Sequence, residues 1–287
     1  MTYRTLSKEA LEQLCEKGFD PTEAQAEIRW LWVHLTGWPV ANLLARMDET
    51  PNKACITAFY ALLSRRMQHE PLQYILGSVP FLSLTLAVNP SVLIPRPETE
   101  WLTHWLALHP IFENRRYMRV LDVGTGSGCI ALGLKSLRPD WEVVACDIST
   151  PALQVAHKNA EQNGLEVNFI HADMLAPHFP ESFTQPFDLI LSNPPYVLRE
   201  EAHTLQKEVI AYEPHLALFT DGEPLRFYHA LINSTKTMLN PNGWLAMECH
   251  TDFAHQVKDY MQSHGFHDVA VMNDLTERPR LVWGGWA

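Results

Sequence analysis

The stretch from residue 120 to residue 132 constrains the fold of this chain more than any other. It reads Val-Leu-Asp-Val-Gly-Thr-Gly-Ser-Gly-Cys-Ile-Ala-Leu, an apolar strand candidate that passes through a glycine loop into a helix candidate. Glycines let the backbone approach a ligand closely, and the start of a helix offers N–H groups without helical partners. A second strand candidate, residues 142–146, ends at Asp147. Because an acid about twenty residues after such glycines usually binds ribose hydroxyls, this order indicates a ligand containing adenosine. A purely structural turn is the alternative.

A second motif, Asn193-Pro194-Pro195-Tyr196, follows the apolar strand candidate at residues 187–192. Neither proline carries an N–H, so their carbonyls can accept hydrogen bonds from another molecule. The asparagine adds a carbonyl acceptor and an NH₂ donor, and the tyrosine adds a flat aromatic face. Such a site suits a planar amino group, either a carboxamide or the exocyclic amine of a base. A simple proline turn at the end of a strand is the competing interpretation.

Two cofactors are compatible with the glycine loop. A dinucleotide normally requires the spacing GxGxxG, whereas here the spacing is GxGxG and Ile130 occupies the next candidate position. A nicotinamide-dependent oxidoreductase would also leave the Asn-Pro-Pro-Tyr motif without a role. Pairing the two motifs points instead to S-adenosylmethionine. Gly124, Asp147, Asp173 and Asn193 follow four successive strand candidates, so we expect them to line one crevice at the carboxyl edge of a sheet.

The pattern along the chain predicts a helical region followed by an α/β domain. Asp20, Pro21 and Glu23 predict the start of one early helix, and Gly37 its end. From about residue 100 strands and helices alternate, which predicts a Rossmann-like, mostly parallel sheet with helices on both faces. Two closing strands without an intervening helix predict one antiparallel element at the edge of that sheet. The predicted organisation is a helical bundle at 1–72, a β-hairpin linker and loop at 73–98, and the α/β domain at 99–287.

Composition narrows the class of protein. The formal net charge is −11, which argues against binding long duplexes through many phosphate contacts, so we expect no stable nucleic-acid partner. No apolar span of about twenty residues occurs, and we therefore expect a cytoplasmic protein without a membrane partner. The five cysteines form no CxxC pair, and the fourteen histidines form no HExxH motif. Reduced thiols and the absence of a metal site are the corresponding expectations.

Four stretches together resemble a known family. They are residues 71–77 (Pro-Leu-Gln-Tyr-Ile-Leu-Gly), residues 93–100 (Leu-Ile-Pro-Arg-Pro-Glu-Thr-Glu), the glycine loop and residues 192–197 (Ser-Asn-Pro-Pro-Tyr-Val). The chain resembles the release-factor glutamine methyltransferases over nearly its whole length. The resemblance implies a class I methyltransferase domain that uses S-adenosylmethionine. It further implies methylation of the side-chain nitrogen, N5, of the glutamine in the Gly-Gly-Gln motif of class-1 peptide chain release factors. For the helical bundle it implies recognition of this partner, and a stabilising cap is the alternative.

The resemblance assigns expected roles to individual residues. The Asn193 side-chain oxygen and the Pro194 carbonyl would accept the two N–H bonds of the substrate amide, while Pro195 and Tyr196 would pack the substrate. Catalysis is therefore assigned to Asn193, Pro194 and Tyr196. The residues expected to bind the cofactor are Gly124, Thr125, Gly126, Ser127, Gly128, Asp147, Asp173, Met174 and Asn193. Among them the glycine loop would hold the methionine part, Asp147 the ribose, and Asp173 with Met174 the adenine. Family members often place an aromatic residue at the last position.

Some alternatives remain open from the sequence. Adenine-N6 methylation of nucleic acid uses the same chemistry, and the Asn-Pro-Pro-Tyr motif occurs in such enzymes too. A non-catalytic module that binds release factors is a third possibility, against which the intact Asn193 and glycine loop argue. In the 93–100 stretch, Arg96, Glu98 and Glu100 would either order the cofactor side of the pocket or form a solvated helix start. The long connection after Tyr196 is a candidate substrate loop.

Overall fold

The computed structural model describes residues 1–286, which contain twelve α-helices and eleven strands. The helices are α1 Tyr3–Glu16, α2 Pro21–Thr36, α3 Val40–Ala45, α4 Lys53–Arg66, α5 Leu72–Leu76, α6 Pro97–Leu108, α7 Cys129–Leu137, α8 Thr150–Asn163, α9 Lys207–Tyr212, α10 His215–Leu218, α11 Arg226–Met238 and α12 Ala254–Ser263. The strands are β1 Ser78–Phe81, β2 Leu84–Ala87, β3 Arg119–Val123, β4 Glu142–Asp147, β5 Asn168–His171, β6 Phe187–Ser192, β7 Val197–Leu198, β8 Phe219–Thr220, β9 Leu239–Glu248, β10 Phe266–Asn273 and β11 Pro279–Trp286. They divide into two compact units.

The first unit combines Met1–Gly77 with Gln206–Tyr212. Helix α2 forms as predicted: the Asp20 carboxylate accepts the N–H groups of the first turn, and Gly37 ends the helix in a left-handed conformation. Its inner face is apolar, and Trp32 stacks on Phe59 of α4 with ring centroids 3.9 Å apart. The unit therefore has a hydrophobic core of its own.

A buried arginine joins the two chain segments of the first unit. Arg66 donates to Glu27 through Nε and Nη2 at 2.7 and 2.9 Å, and to Glu208 through Nη1 at 2.6 Å. Tyr212 also donates its hydroxyl to the carbonyl of Gln68 at 2.9 Å. The helical unit is therefore discontinuous in sequence, because part of the predicted substrate loop is built into it. This feature was not foreseen from the sequence.

The second unit, which includes Ser78–Leu205 and the chain from Glu213 onward, contains a seven-stranded sheet. Its strand order is β10-β11-β9-β6-β3-β4-β5, and buried apolar clusters lie on both faces. The prediction of a Rossmann-like, mostly parallel sheet is confirmed. The predicted antiparallel element at the edge is the pair of closing strands, β10 and β11. Strand β11 is antiparallel to both β9 and β10, so it lies second from the edge and β10 forms the edge.

The order of strands reverses between β3 and β6, which are hydrogen-bonded neighbours. Val123 pairs with Ser192, and the Ser192 hydroxyl donates to the Val123 carbonyl at 2.7 Å. The glycine loop and Asn193 therefore leave the sheet side by side. Such a switch point opens a crevice at the carboxyl ends of the strands, where ligands of open α/β sheets bind.

A two-stranded hairpin, β1 and β2, precedes the sheet. The hairpin was predicted, but residues 73–76 belong to helix α5 rather than to the linker. Asn159 of α8 is fully buried and bonds the backbone N–H and C=O of Ala87 at 2.6 and 3.0 Å. Its NH₂ group also donates to the carbonyl of Ser127 in the glycine loop at 2.9 Å. One amide thus fixes the hairpin against the loop.

Candidate active site

A cavity of about 470 Å³ opens at the switch point. Among the residues that line it are Gly124, Thr125, Gly126, Ser127, Asp147, Asp173, Met174, Asn193 and Pro195. Gly128, Pro194 and Tyr196, which were predicted with them, are not among its lining residues. The structure therefore brings nine of the predicted side chains or loop positions to one crevice. The direct roles predicted for the remaining three stay predictions.

The glycine loop is held in a conformation that other residues rarely adopt. Gly124, Gly126 and Gly128 have φ values of 76°, 55° and 82°, all in the left-handed region. A Cβ at Gly128 would also lie 3.3 Å from the Ala156 Cβ, so helices α7 and α8 leave no room there. Gly128 therefore shapes the loop from behind, whereas Gly124 and Gly126 face the cavity.

Asp147 holds the turn opposite the glycine loop. Its Oδ2 accepts the N–H of Gly126 at 2.8 Å, and its Oδ1 accepts the N–H of Ser149 at 2.8 Å. Burial raises the pKa of Asp147, and these backbone donors counteract that rise because they favour the carboxylate. A carboxylate at the end of β4, within the cavity wall, suits the hydroxyls of a ribose.

Asn193 stands at the head of a side-chain network. Its Nδ2 donates to the Thr99 hydroxyl at 3.1 Å, and this hydroxyl donates to Glu248 Oε2 at 2.7 Å. The Tyr196 hydroxyl donates to Glu248 Oε1 at 3.3 Å. Burial, followed by the neighbouring Glu248 carboxylate, raises the pKa of Tyr196 well above its usual range. Tyr196 thus supports the site from behind, and its direct packing on a substrate stays a prediction.

Comparison with known proteins places this geometry in a family. The PrmC N-terminal domain family matches residues 5–77, and the Methyltransferase small domain family matches residues 106–226. The chain is 36% identical to the release factor glutamine methyltransferase of Flavobacterium psychrophilum, over 98% of this chain and 96% of that protein. It is 31% identical to that of Staphylococcus aureus over the full length of both.

The chain belongs to the release factor glutamine methyltransferase family. It is an S-adenosylmethionine-dependent methyltransferase. The bifunctional methyltransferase of Rickettsia conorii is also similar, at 34% identity, but this chain spans only about half, 53%, of its length.

Solved structures agree on the fold of the methyltransferase. The hMettl16 catalytic domain, solved with a MAT2A 3′UTR hairpin, has a TM-score of 0.55 at 16% identity and covers 82% of each chain. A methyltransferase from Pyrococcus furiosus has a TM-score of 0.52 at 17% identity, over 71% of this chain and 89% of that chain. At such identities the likeness shows the class I fold alone.

The donor set of the methyltransferase fits S-adenosylmethionine. Asp147 offers carboxylate oxygens for the ribose, and the left-handed glycine loop exposes backbone beside it without side chains between. Met174 lies across the loop, its Cε 3.7 Å from the place of a Cβ on Gly124. This position suits an apolar contact with a ring system. The individual contacts of these residues with the cofactor stay predictions.

The 93–100 stretch orders two parts of the methyltransferase. Arg96 lines the cavity and donates to Glu213 Oε1 at 2.6 Å, while Glu213 Oε2 accepts the N–H of Ile94 at 3.1 Å. Glu100 accepts the N–H of Leu82, the left-handed turn residue of the hairpin, at 2.6 Å. The stretch is therefore more than a solvated helix start, because its side chains hold the loop and the hairpin in place.

Three residues that the sequence analysis did not single out are buried in the site: Thr99, Glu213 and Glu248. Thr99 lies inside the 93–100 stretch, which was noticed for its charged residues only. Glu248 ends β9, the neighbour of β6, and Ser192 pairs with Met247. Applying the strand-end rule to this fifth strand would have found Glu248. No local signal marks Glu213.

Asp122, in the strand before the glycine loop, is fully buried. Its Oδ2 accepts the Thr125 hydroxyl at 2.6 Å and the Ala131 N–H at 3.2 Å, while Oδ1 has no hydrogen-bond partner among residues 1–286. Burial, only partly offset by these donors, raises the pKa of Asp122 to about 7. Through its two hydrogen bonds, Asp122 connects the glycine loop to helix α7.

A cluster of Glu201, His250 and Asp252 lies on the rim of the second unit, with one potential ligand atom from each within 4.8 Å of the others. The sequence analysis saw no such cluster, because the three residues come from two separate segments. The Glu201 carboxylate also caps the backbone N–H of Leu198 at 2.9 Å. The cluster has this structural use, and the expectation of no metal stays a prediction.

No helix in residues 1–286 is both long enough and apolar enough to cross a membrane.

Proposed function

We propose that this methyltransferase transfers the methyl group of S-adenosylmethionine to the side-chain nitrogen of the glutamine in the Gly-Gly-Gln motif of class-1 peptide chain release factors. The observation that carries the proposal is the placement of Asn193 at the switch point beside the glycine loop. Family membership over nearly the whole chain supports the release factor as substrate. It favours glutamine over adenine, since the Asn-Pro-Pro-Tyr motif alone suits both.

The chemistry requires help for a poor nucleophile, because the lone pair of an amide nitrogen is delocalised into its carbonyl. The bound cofactor supplies an electrophilic methyl group on a sulfonium. As the new N–C bond forms, the C–S bond breaks and the nitrogen gains positive charge, until one of its protons passes to solvent. The side-chain oxygen of Asn193 and the carbonyl of Pro194 accept hydrogen bonds from the two N–H groups of the substrate amide. These bonds stabilise the positive charge and hold the nitrogen in line with the methyl group.

The other residues of the cavity wall bind the cofactor and pack against the substrate. Gly124–Gly128 hold the methionine part of the cofactor, Asp147 the ribose, and Asp173 with Met174 the adenine. Pro195 packs against the substrate side chain. Because its backbone has no N–H, it offers the substrate no competing donor.

We assign recognition of the release factor body to the helical unit. The exposed large apolar side chains of that unit include Trp30 at 49% and Leu44 at 54%, and tryptophan is enriched at interface hot spots. Glu208 belongs to the same unit and pairs with Arg66. Truncating the amino-terminal helices would therefore leave Glu208 without its partner, and surface substitutions are the cleaner probe. The cytoplasm, where release factors act, is the expected compartment.

Incubation of a purified release factor with the enzyme and S-adenosylmethionine tests the function. We expect one peptide, that of the Gly-Gly-Gln motif, to gain the mass of a methyl group in place of a hydrogen. A release factor with this glutamine replaced by asparagine should stay unmodified. Methyl transfer to duplex DNA with none to the release factor would overturn the assignment, as would tighter binding of NADH than of S-adenosylhomocysteine in calorimetry.

The helical unit is tested by Trp30→Ala with Tyr117→Ala as control. Tyr117 is 70% exposed in the other unit, so both substitutions remove an exposed aromatic ring. We expect Trp30→Ala to raise the KM for the folded release factor but not for a short Gly-Gly-Gln peptide. Equal kinetics on both substrates would remove Trp30 from the recognition surface.

A further inference from the structure

Thr99 lines the cavity beside Asn193, and Glu248 is buried behind it. Glu248 is 1% exposed and Thr99 is 2% exposed. The chain of hydrogen bonds Asn193–Thr99–Glu248 measures 3.1 and 2.7 Å, and joins residues that are 94 and 149 positions apart in the sequence. Three separate elements, α6, β9 and the loop after β6, therefore meet at one hydroxyl group.

The directions of these hydrogen bonds follow from proton counting. An ionised carboxylate can only accept, so the single proton of the Thr99 hydroxyl is donated to Glu248. The oxygen of that hydroxyl is then available only as an acceptor for Asn193, which must present its NH₂ group to it. The other amide atom, the Asn193 oxygen, accepts no hydrogen bond from residues 1–286, and Asn193 lines the cavity. The carboxylate thus dictates which end of the amide is free.

We propose that Glu248 is a positioning residue that acts through Thr99 to fix the amide orientation of Asn193, so that the oxygen and not the NH₂ group faces the substrate. This inference rests on the proposed function, because only an N–H donor in the substrate needs an acceptor at that position. A flipped Asn193 would present two donors to the substrate nitrogen and repel it. The hydrogen-bonded chain Asn193–Thr99–Glu248, called the relay below, also explains why a threonine occurs within the 93–100 stretch.

The electrostatic surroundings of Glu248 determine when the relay works. Burial raises the pKa of Glu248, whereas the Thr99 hydroxyl and the positive charge of Arg280 lower it. The titratable groups that interact with this carboxyl are Glu98, Cys129, Tyr196, Tyr228, Cys249 and Arg280. Once protonated, Glu248 no longer requires the proton of Thr99, and the hydroxyl can donate to Asn193 instead. Turnover should therefore fall as the pH falls through the raised pKa of Glu248.

The decisive variant is Thr99→Val, which keeps the side-chain shape and removes the hydroxyl. We expect its kcat at saturating substrates to fall about tenfold or more, with binding of S-adenosylhomocysteine within about twofold of wild type. Thr99→Ser restores the hydroxyl and should recover most of the activity. Thr103→Val is the matched control, since Thr103 is a buried threonine of the same helix that bonds only the backbone carbonyl of Thr99. Its kcat should be unchanged.

Two further measurements separate orientation from general stability. In an Asn193→Ala background Thr99→Val should have no additional effect on kcat, because the amide it orients is gone. In Glu248→Gln, a neutral carboxamide no longer enforces one direction of the hydrogen bond with Thr99, so kcat should fall less than in Thr99→Val. The decrease of kcat at low pH that we expect for the wild type should also disappear. The ¹⁵N resonance of the Asn193 NH₂ group should shift in both variants without any substrate present.

Each outcome supports or overturns the relay. A kcat of Thr99→Val within about twofold of wild type, or an equal loss in the Asn193→Ala background, would overturn it. If Thr99→Val fails to bind S-adenosylhomocysteine, the Glu248→Gln profile decides, and an acid limb at the wild-type pH would contradict the inference. Failure of the wild-type enzyme to methylate the release factor would instead reject the proposed function.

Discussion

The two halves of the cavity are built in different ways. The half proposed to bind the cofactor comes from successive strand ends: the β3–β4 stretch supplies glycine backbone and Asp147, and the end of β5 is followed by Asp173 and Met174. The substrate half comes from three segments far apart in sequence, and its key atom is oriented by side chains: Asn193, Thr99 and Glu248. Local sequence therefore encodes the first half, whereas the second exists only once the sheet has brought β6 and β9 together.

This difference predicts different sensitivities. A half built mainly from backbone should tolerate most side-chain changes outside the glycines, Asp147, Asp173 and Met174, because few other side chains are assigned to the cofactor. A half built from a side-chain network fails when any member loses its donor or acceptor, since each bond fixes the next. Substitutions in one half should therefore leave the measured property of the other nearly unchanged.

The largest effect is expected for Asn193→Ala. Loss of the acceptor for the substrate N–H should lower kcat by about 10²- to 10³-fold, the scale for removing one transition-state hydrogen bond. Calorimetry should show binding of S-adenosylhomocysteine almost as in wild type. A comparable loss of cofactor binding would break the proposed division of the cavity, and near-wild-type turnover would reduce the motif to a turn.

The next effect concerns the buried acid of the cofactor half. Because the folded-state pKa of Asp122 is raised from 3.8 to about 7, the folded protein holds this proton where the unfolded chain has released it. The contribution of Asp122 to the free energy of unfolding is fully favourable below pH 3.8 and is lost as the pH rises to about 7. Over this interval wild type should lose about 2–4 kcal/mol relative to Asp122→Asn. Urea unfolding of both proteins across the interval measures it, and parallel curves would contradict the raised pKa.

Asp147→Ala tests the cofactor half directly. It should weaken binding of S-adenosylhomocysteine by about 1–3 kcal/mol, the scale for losing hydrogen bonds to a charged group. At saturating cofactor its kcat should stay near that of wild type. A fall in kcat that saturation does not repair would mean that Asp147 also positions the substrate half through Gly126, to whose N–H it is bonded.

The smallest expected effect is an increase in the affinity for S-adenosylhomocysteine. If Met174 flanks the adenine, Met174→Phe supplies an aromatic face and should tighten S-adenosylhomocysteine binding by about 0.5–1.5 kcal/mol. Met174→Leu, which adds no ring, is the control. Weaker binding of the phenylalanine variant would show that the adenine lies elsewhere along the cavity wall.

The same contrast explains what the sequence could and could not predict. The glycine loop, Asp147 and the alternation of strands and helices are local patterns, and the fold they predicted is confirmed. The order of the two closing strands was not predicted, because the pairing of β11 with β9 depends on long-range register rather than on residues nearby. Glu248 could have been found as the end of a fifth strand, but Thr99 carries no local signal, and the connection of both residues to Asn193 appears only in three dimensions. The same holds for Glu208, whose partner Arg66 is 142 positions away.

The buried amide of Asn159 has a consequence for the order of folding. It bonds Ala87 across 72 positions and Ser127 across 32, so the hairpin gains its anchor only after α8 has packed beside the glycine loop. Contacts of such high sequence separation form late, because closing a long chain segment costs entropy before any bond repays it. We therefore expect the β3–α7–β4 unit to form before the hairpin is anchored, and the hairpin to become protected from hydrogen exchange after that unit.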